Sequence, residues 1–127
     1  MIAIAPSDEF YEKSQVFMRE AYGAMKRGIY WLACFHAHQA VEFYVKALLE
    51  EKIGSYPFTH DLVTLIETLR ALDIDLPEEV IKAAESLTPH YVMARYGSRG
   101  VFEYNHERAR RCINNAEVIL QWLKTIE

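Results

Sequence analysis

Residues 29–52 read IYWLACFHAHQAVEFYVKALLEEK, and this stretch decides the fold. The segment contains neither proline nor glycine, and its apolar side chains would surround most of a helix. A helix that is apolar on nearly every side has to be covered by other parts of the protein. We therefore expect one long helix over residues 29–52, packed against neighbouring helices on several sides.

Helix-length segments flank this one on both sides, separated by short clusters of glycine and proline. Apolar residues recur at helical spacing over residues 9–26 and 105–126. Between them a third stripe carries leucine and isoleucine at three- and four-residue steps: Leu62, Leu65, Ile66, Leu69 and Leu72. No segment reads as a strand pair. The pattern predicts an all-α fold, an antiparallel up-and-down bundle of four long helices plus a short fifth helix.

Capping residues suggest where the later helices begin. Thr59 is expected to be the N-cap of the third helix, with Asp61 in its first turn. Asp75 and Glu78 have the spacing of a capping box for a fourth helix that starts near Pro77. Thr88 as cap, followed by Pro89 as first residue, would start the short fifth helix through Tyr91 and Ala94.

Composition limits the classes of protein that the chain can belong to. The 127 residues are 51% hydrophobic and 25% charged, with a formal net charge of −4, as in a globular domain. We expect one domain over residues 1–127, with its core at about 9–126. No stretch reads as a signal peptide or a membrane span, and we expect a cytoplasmic protein.

Cysteine and histidine spacing gives no metal-binding motif. Cys34 and Cys112 form no CxxC pair, so we expect neither a zinc knuckle nor a redox motif. We expect the protein to lie in a reducing compartment. His36 and His38 lie about 200° apart around a helix and cannot share one metal ion. The sequence predicts no metal site and no cofactor.

The central helix also carries a polar stripe in which His38, Glu42, Lys46 and Glu50 follow one another at four-residue steps. One interpretation is a solvated seam of weak ion pairs, with Glu42 preceding Lys46 in the favoured order. The other is the polar floor of a groove.

A basic, aromatic segment follows the fifth helix. Residues 95–111 contain five arginines and two glutamates, a net charge of +3, which leaves −7 on the rest of the chain. Arginine forks and aromatic faces suit a phosphate-bearing ligand, for which we expect Arg95 and Arg99 to bind phosphate and Tyr96 to stack. The alternative is that these arginines pair with acidic residues of the same or a second subunit.

A second hypothesis for this segment is metal-free RNA cleavage by Arg99 and His106. The arginine would bind the phosphate and the histidine would transfer a proton. The spacing itself carries little weight, since about one such pair is expected by chance in this composition.

Four short motifs stand in a characteristic order. They are FHAHQAVE at residues 35–42, KALL at 46–49, THDL at 59–62, and Tyr91 followed by ARY at 94–96. This order resembles the HEPN domain family, small helical domains named for proposed nucleotide binding. The resemblance extends from about Phe10 to Leu123.

The resemblance implies a helical homodimer, often made beside a nucleotidyltransferase subunit and linked to nucleotide or RNA metabolism, including toxin–antitoxin pairs. The corresponding ligand-binding positions are Glu42, Lys46, His60, Asp61, Arg95 and Tyr96, to which the basic segment adds Arg99. Two departures concern the loop that follows. Gly97 stands where many relatives have proline, and Gly100 follows Arg99 where ribonuclease members have a polar residue.

Our first hypothesis is accordingly a nucleotide- or RNA-associated binding module, and no catalytic residue is assigned to it. The alternative is a metal-independent endoribonuclease toxin that uses Arg99 and His106.

Overall fold

A computed structural model of the chain describes residues 6–97 and 103–126, and within these ranges every regular element is helical. The predicted all-α bundle is confirmed. The helices are α1 (Pro6–Lys26), α2 (Tyr30–Lys52), α3 (Leu62–Glu67), α4 (Glu78–Leu87), α5 (His90–Tyr96) and α6 (His106–Thr125). A 3-10 helix, Thr68–Leu72, continues α3.

Helices α1 and α2 form an antiparallel pair around a tight turn. Gly28 takes φ 76°, a left-handed conformation that glycine adopts without steric penalty. Phe10 near the start of α1 packs on Phe43 late in α2, while Phe17 packs on His36 nearer the start of α2. The chain therefore reverses completely within three residues.

Helix α6 runs beside α2 in the same direction. Tyr30 contacts His106 at the start of both helices. Cys34 is bonded to Cys112 between one and two turns further along each helix. Helix α2 is thus enclosed by α1 and α6 and also contacts α3, α4 and α5. Its predicted position, covered on several sides, is confirmed. The largest fully buried apolar side chains are Val41, Val45, Leu48, Leu49, Leu62, Leu65, Ile66, Leu69, Leu87, Ile119 and Leu123.

The start of α3 differs from the sequence prediction. Asp61, rather than Thr59, is the N-cap, and its carboxylate accepts hydrogen bonds from the Val63 and Thr64 amides at 2.9 and 3.2 Å. The Thr59 hydroxyl instead accepts from the Asp61 amide at 3.1 Å, forming a turn before the helix. Asp73 ends the 3-10 helix in the left-handed conformation.

The predicted caps of two further helices were wrong. Pro77 precedes α4 without any side-chain cap, so Asp75 and Glu78 form no capping box. Helix α5 likewise has no side-chain cap, because the Thr88 hydroxyl accepts a hydrogen bond from the Leu62 amide at 3.1 Å. Thr88 therefore joins the end of α4 to the start of α3.

Cys34 and Cys112 form a disulfide that joins α2 to α6, with their Cα atoms 5.1 Å apart. The sequence analysis did not predict this pairing, because the two cysteines are 78 positions apart and form no local motif. In the part of the chain that the structure describes, no helix has both the length and the apolar character that crossing a membrane requires.

Candidate functional site

The polar stripe of α2 is buried. His38 and Glu42 are 0% and 2% exposed, and Lys46 is nearly covered as well. The solvated-seam interpretation is therefore wrong for these three residues. Glu42 accepts a hydrogen bond from Lys46 Nζ at 2.9 Å and another from His60 Nδ1 at 2.9 Å. Two donors thus hold one buried carboxylate.

His60 links this buried carboxylate to the surface. It lies just before α3, and 49% of its side chain is exposed. Its ring stacks on Tyr91 of α5, with centroids 3.7 Å apart and planes 12° from parallel. Since Glu42 fixes Nδ1 on one edge and Tyr91 covers one face, the ring has a single defined orientation.

Arg95 extends the stack outward. Its Cζ lies 4.2 Å from the Tyr91 ring centroid and 4.8 Å from that of Phe35, distances typical of cation–π contacts. Its Nε donates to the Tyr91 carbonyl at 2.8 Å, one turn back along α5. We call Glu42, His60, Tyr91 and Arg95 the stacked column.

His38 supports the column from inside the core. Its Nε2 donates to the His60 carbonyl at 2.9 Å, and its Nδ1 faces Gln39 at 3.2 Å and the Glu42 carboxylate at 3.8 Å. Burial lowers the pKa of His38, and the attraction of Glu42 offsets that effect only in part. The backbone at His60 is thereby anchored to α2.

The other predicted ligand residues lie in different settings. Tyr96 is 74% exposed, and its ring centroid is 5.0 Å from Arg95 Cζ, so it borders the column. Asp61 is turned into the cap of α3. Arg99 lies outside the described residues. His106 is exposed at the start of α6 and contacts Tyr30.

Much of the basic segment is engaged within its own helix. Arg110 and Arg111 both pair with Glu107, one turn earlier in α6, at 2.8 and 3.4 Å. These exposed pairs follow the alternative that the sequence left open, in which the arginines meet acidic groups of the same subunit. Arg95 differs, because its contacts are aromatic rings.

A sequence profile of the HEPN domain matches residues 7–126. The chain belongs to the HEPN domain family. A comparison with curated proteins finds no match.

Solved structures resemble this HEPN chain over nearly its whole length. A crystal structure of a protein from Thermus thermophilus is 26% identical with a TM-score of 0.85, covering 96% of this chain and 98% of that one. An archaeal HEPN homologue is 27% identical with a TM-score of 0.76 and the same coverage. A HEPN domain protein from Thermotoga maritima, 22% identical with a TM-score of 0.75, covers 93% of this chain and 96% of its own, and shows the fold alone.

Each component of the stacked column contributes a different chemical property. In this HEPN domain a buried ion pair carries no net charge, a half-exposed imidazole has one fixed edge, and an exposed guanidinium lies across aromatic rings. Such a surface offers charge-assisted donors to an anion and flat faces to a planar group.

Tyr91 and Phe35 are the components that the sequence prediction of ligand residues did not include. Tyr91 belonged to the motif order, but its position between His60 and Arg95 depends on how α5 packs on α2. Phe35 stood in the first motif as an apolar helix residue. Only tertiary structure reveals its contact with the Arg95 guanidinium.

Proposed function

We propose that this HEPN domain binds a nucleotide or a short single-stranded RNA at the stacked column. The observation that carries the proposal is the exposed Arg95 guanidinium held over Tyr91, which itself stacks on the fixed ring of His60. A nucleotide carries both features that such a surface recognises, namely a phosphate and a planar base. Arg95 would bind phosphate, and Tyr96 would offer a face for the base.

Charge accounting within the structure supports Arg95 as the phosphate contact. Lys46 is already neutralised by Glu42, Arg110 pairs with Glu107 of its own helix, and Arg70 pairs with Glu67 at the end of α3. Among residues 6–97 and 103–126, no carboxylate lies within ion-pair distance of Arg95. Within this part of the chain, a ligand can therefore bind the Arg95 charge without breaking an ion pair.

We also propose that the domain works as a homodimer beside a nucleotidyltransferase-type subunit, as the family resemblance implies. One argument for the dimer has to be revised, because a single chain already buries most apolar residues of α2. The remaining support is the exposed apolar surface of Trp31, Val92 and Tyr96, on α2 and α5. Exposed aromatic residues are favoured in interfaces.

Titration of the full chain with ATP, with a short single-stranded RNA and with inorganic phosphate tests the binding proposal. We expect ATP or RNA to bind more tightly than phosphate alone, because stacking adds to the phosphate contact. We expect affinity to fall as salt rises, because the release of counterions that accompanies binding becomes less favourable. Absence of salt-sensitive binding to both ATP and RNA would contradict the proposal.

The ribonuclease hypothesis is tested with the same RNA. We expect the RNA to be recovered intact after incubation with the protein in chelator. Cleavage by the wild type that is lost in His106→Ala would instead favour the nuclease and would assign a catalytic role to His106.

A further inference from the structure

A second cluster of reactive side chains lies in the core and takes no part in the stacked column. Cys34 of α2, His90 of α5 and Cys112 of α6 are 0%, 4% and 2% exposed. The two sulfur atoms and a ring nitrogen of His90 all lie within 4.8 Å of one another. Side chains from three helices thus converge on one buried point.

The surroundings of His90 match those of a ligand histidine. A hydrogen bond of 2.6 Å joins its Nδ1 to the Tyr104 hydroxyl, and such contacts fix the orientation of metal-binding imidazoles. The ring is also buried in the core beside both sulfur atoms.

From this convergence we propose that Cys34, His90 and Cys112 form a zinc-binding site in the reduced protein. A disulfide alone requires no buried imidazole beside it. Two thiolates and one imidazole are ligands that Zn²⁺ prefers, and water would fill the fourth tetrahedral position. The two thiolate charges balance the metal charge, which a buried site requires.

The oxidised and metal-bound states exclude each other. Reduction of the Cys34–Cys112 disulfide by a phosphine or dithiol reductant delivers two electrons, and two protons complete the thiols. Zinc then displaces both thiol protons to solvent. The sulfur atoms must separate from bonding contact to roughly 3.8 Å, the edge of a tetrahedron with Zn–S bonds of about 2.3 Å. Rotation of the two side chains is the simplest way to open that distance.

The experiment uses the full chain, reduced with a phosphine, freed of reductant without oxygen, and titrated with Zn²⁺ or Co²⁺ alone. We expect one metal ion per reduced chain and sulfur-to-cobalt charge-transfer absorption. The oxidised protein should bind neither ion, because its sulfurs are bonded to each other. We expect His90→Gln to weaken zinc binding by more than about tenfold. His36→Gln, a change at a half-buried histidine of α2 outside the cluster, should leave binding unchanged.

X-ray absorption at the zinc edge of the reduced wild type keeps the proposal testable if His90→Gln does not fold. We expect two sulfur ligands at about 2.3 Å and at least one nitrogen ligand at about 2.0 Å. A reduced protein without cobalt charge transfer would overturn the proposal. Zinc binding that survives in the oxidised protein, or a ligand shell without two sulfurs, would overturn it equally.

Discussion

Glu42 is the residue on which the stacked column depends, because it is buried and compensated by two donors. Removing one partner of a buried ion pair leaves the other charge uncompensated in a dry environment. We expect Glu42→Gln to lower the free energy of unfolding by about 3–5 kcal/mol, measured by urea denaturation.

Glu9→Gln is a matched control for this change. Glu9 and Lys13 have the same four-residue spacing as Glu42 and Lys46, but both side chains are exposed. Exposed pairs of this type contribute little to stability, and we expect almost no effect. Equal destabilisation by the two changes would contradict the role we assign to burial.

His38 makes the stability of the domain depend on pH. Burial lowers its pKa and the Glu42 charge opposes that shift only in part, so the native state takes up a proton less readily than the unfolded state. Stability should therefore fall as the pH drops below about 6.5, the usual value for histidine.

The variant His38→Gln isolates this contribution, because its amide can still donate to the His60 carbonyl but does not titrate. Urea unfolding at pH 7.5 and pH 5.5 should show a smaller loss of stability in His38→Gln than in the wild type. His36 and His90 titrate in both proteins, so the difference between the two proteins reports mainly on His38. The same loss in both proteins would show that His38 is not responsible.

At the scale of the element, the start of α3 decides where His60 lies. Asp61 caps the helix through the amides of Val63 and Thr64. We expect Asp61→Ala to cost about 1 kcal/mol of stability, and Asp61→Asn to restore most of it, because asparagine caps about as well as aspartate.

Ligand binding distinguishes capping from direct contact by Asp61. If Asp61 acts only as a cap, Asp61→Asn binds RNA or ATP like the wild type in the same titration. A loss of binding in a fully stable Asp61→Asn protein would instead show that its charge contacts the ligand.

Helix boundaries illustrate what the sequence could and could not provide. Apolar periodicity predicted the long helices, because one buried face per helix is a local pattern. The choice between Thr59 and Asp61 as cap was not local, since both side chains are good caps. Thr88 was likewise predicted to cap α5, whereas its hydroxyl accepts a hydrogen bond from the Leu62 amide of α3. Capping groups that find tertiary partners cannot be identified from spacing.

At the scale of the whole molecule, the disulfide joins helices whose cysteines are 78 positions apart in sequence. Closing a long loop restricts the unfolded chain, which typically adds about 2–4 kcal/mol. We expect thermal unfolding in chelator to occur at a lower temperature after reduction. The double variant Cys34→Ala with Cys112→Ala should unfold at a temperature that reductant does not change. An identical midpoint for the oxidised and reduced wild type would contradict this stabilisation.

The sequence identified most residues of the candidate site but not the contacts between them. The motif order pointed to Glu42, Lys46, His60 and Arg95, and the structure brings all four together. The layer between His60 and Arg95 is Tyr91, whose role arises from packing between helices. The disulfide between Cys34 and Cys112 could not be predicted either, because no local spacing indicates it.

Binding of a short single-stranded RNA to the wild type and to Arg95→Ala, at one low salt concentration, tests the central claim most directly. The matched control is Arg70→Ala, which removes an exposed arginine paired with Glu67 outside the column. Loss of a phosphate contact and its stacking should cost about 1–3 kcal/mol. We predict at least about fivefold weaker binding for Arg95→Ala and unchanged binding for Arg70→Ala. Equal affinities for all three proteins would contradict the assignment of the stacked column as the ligand site.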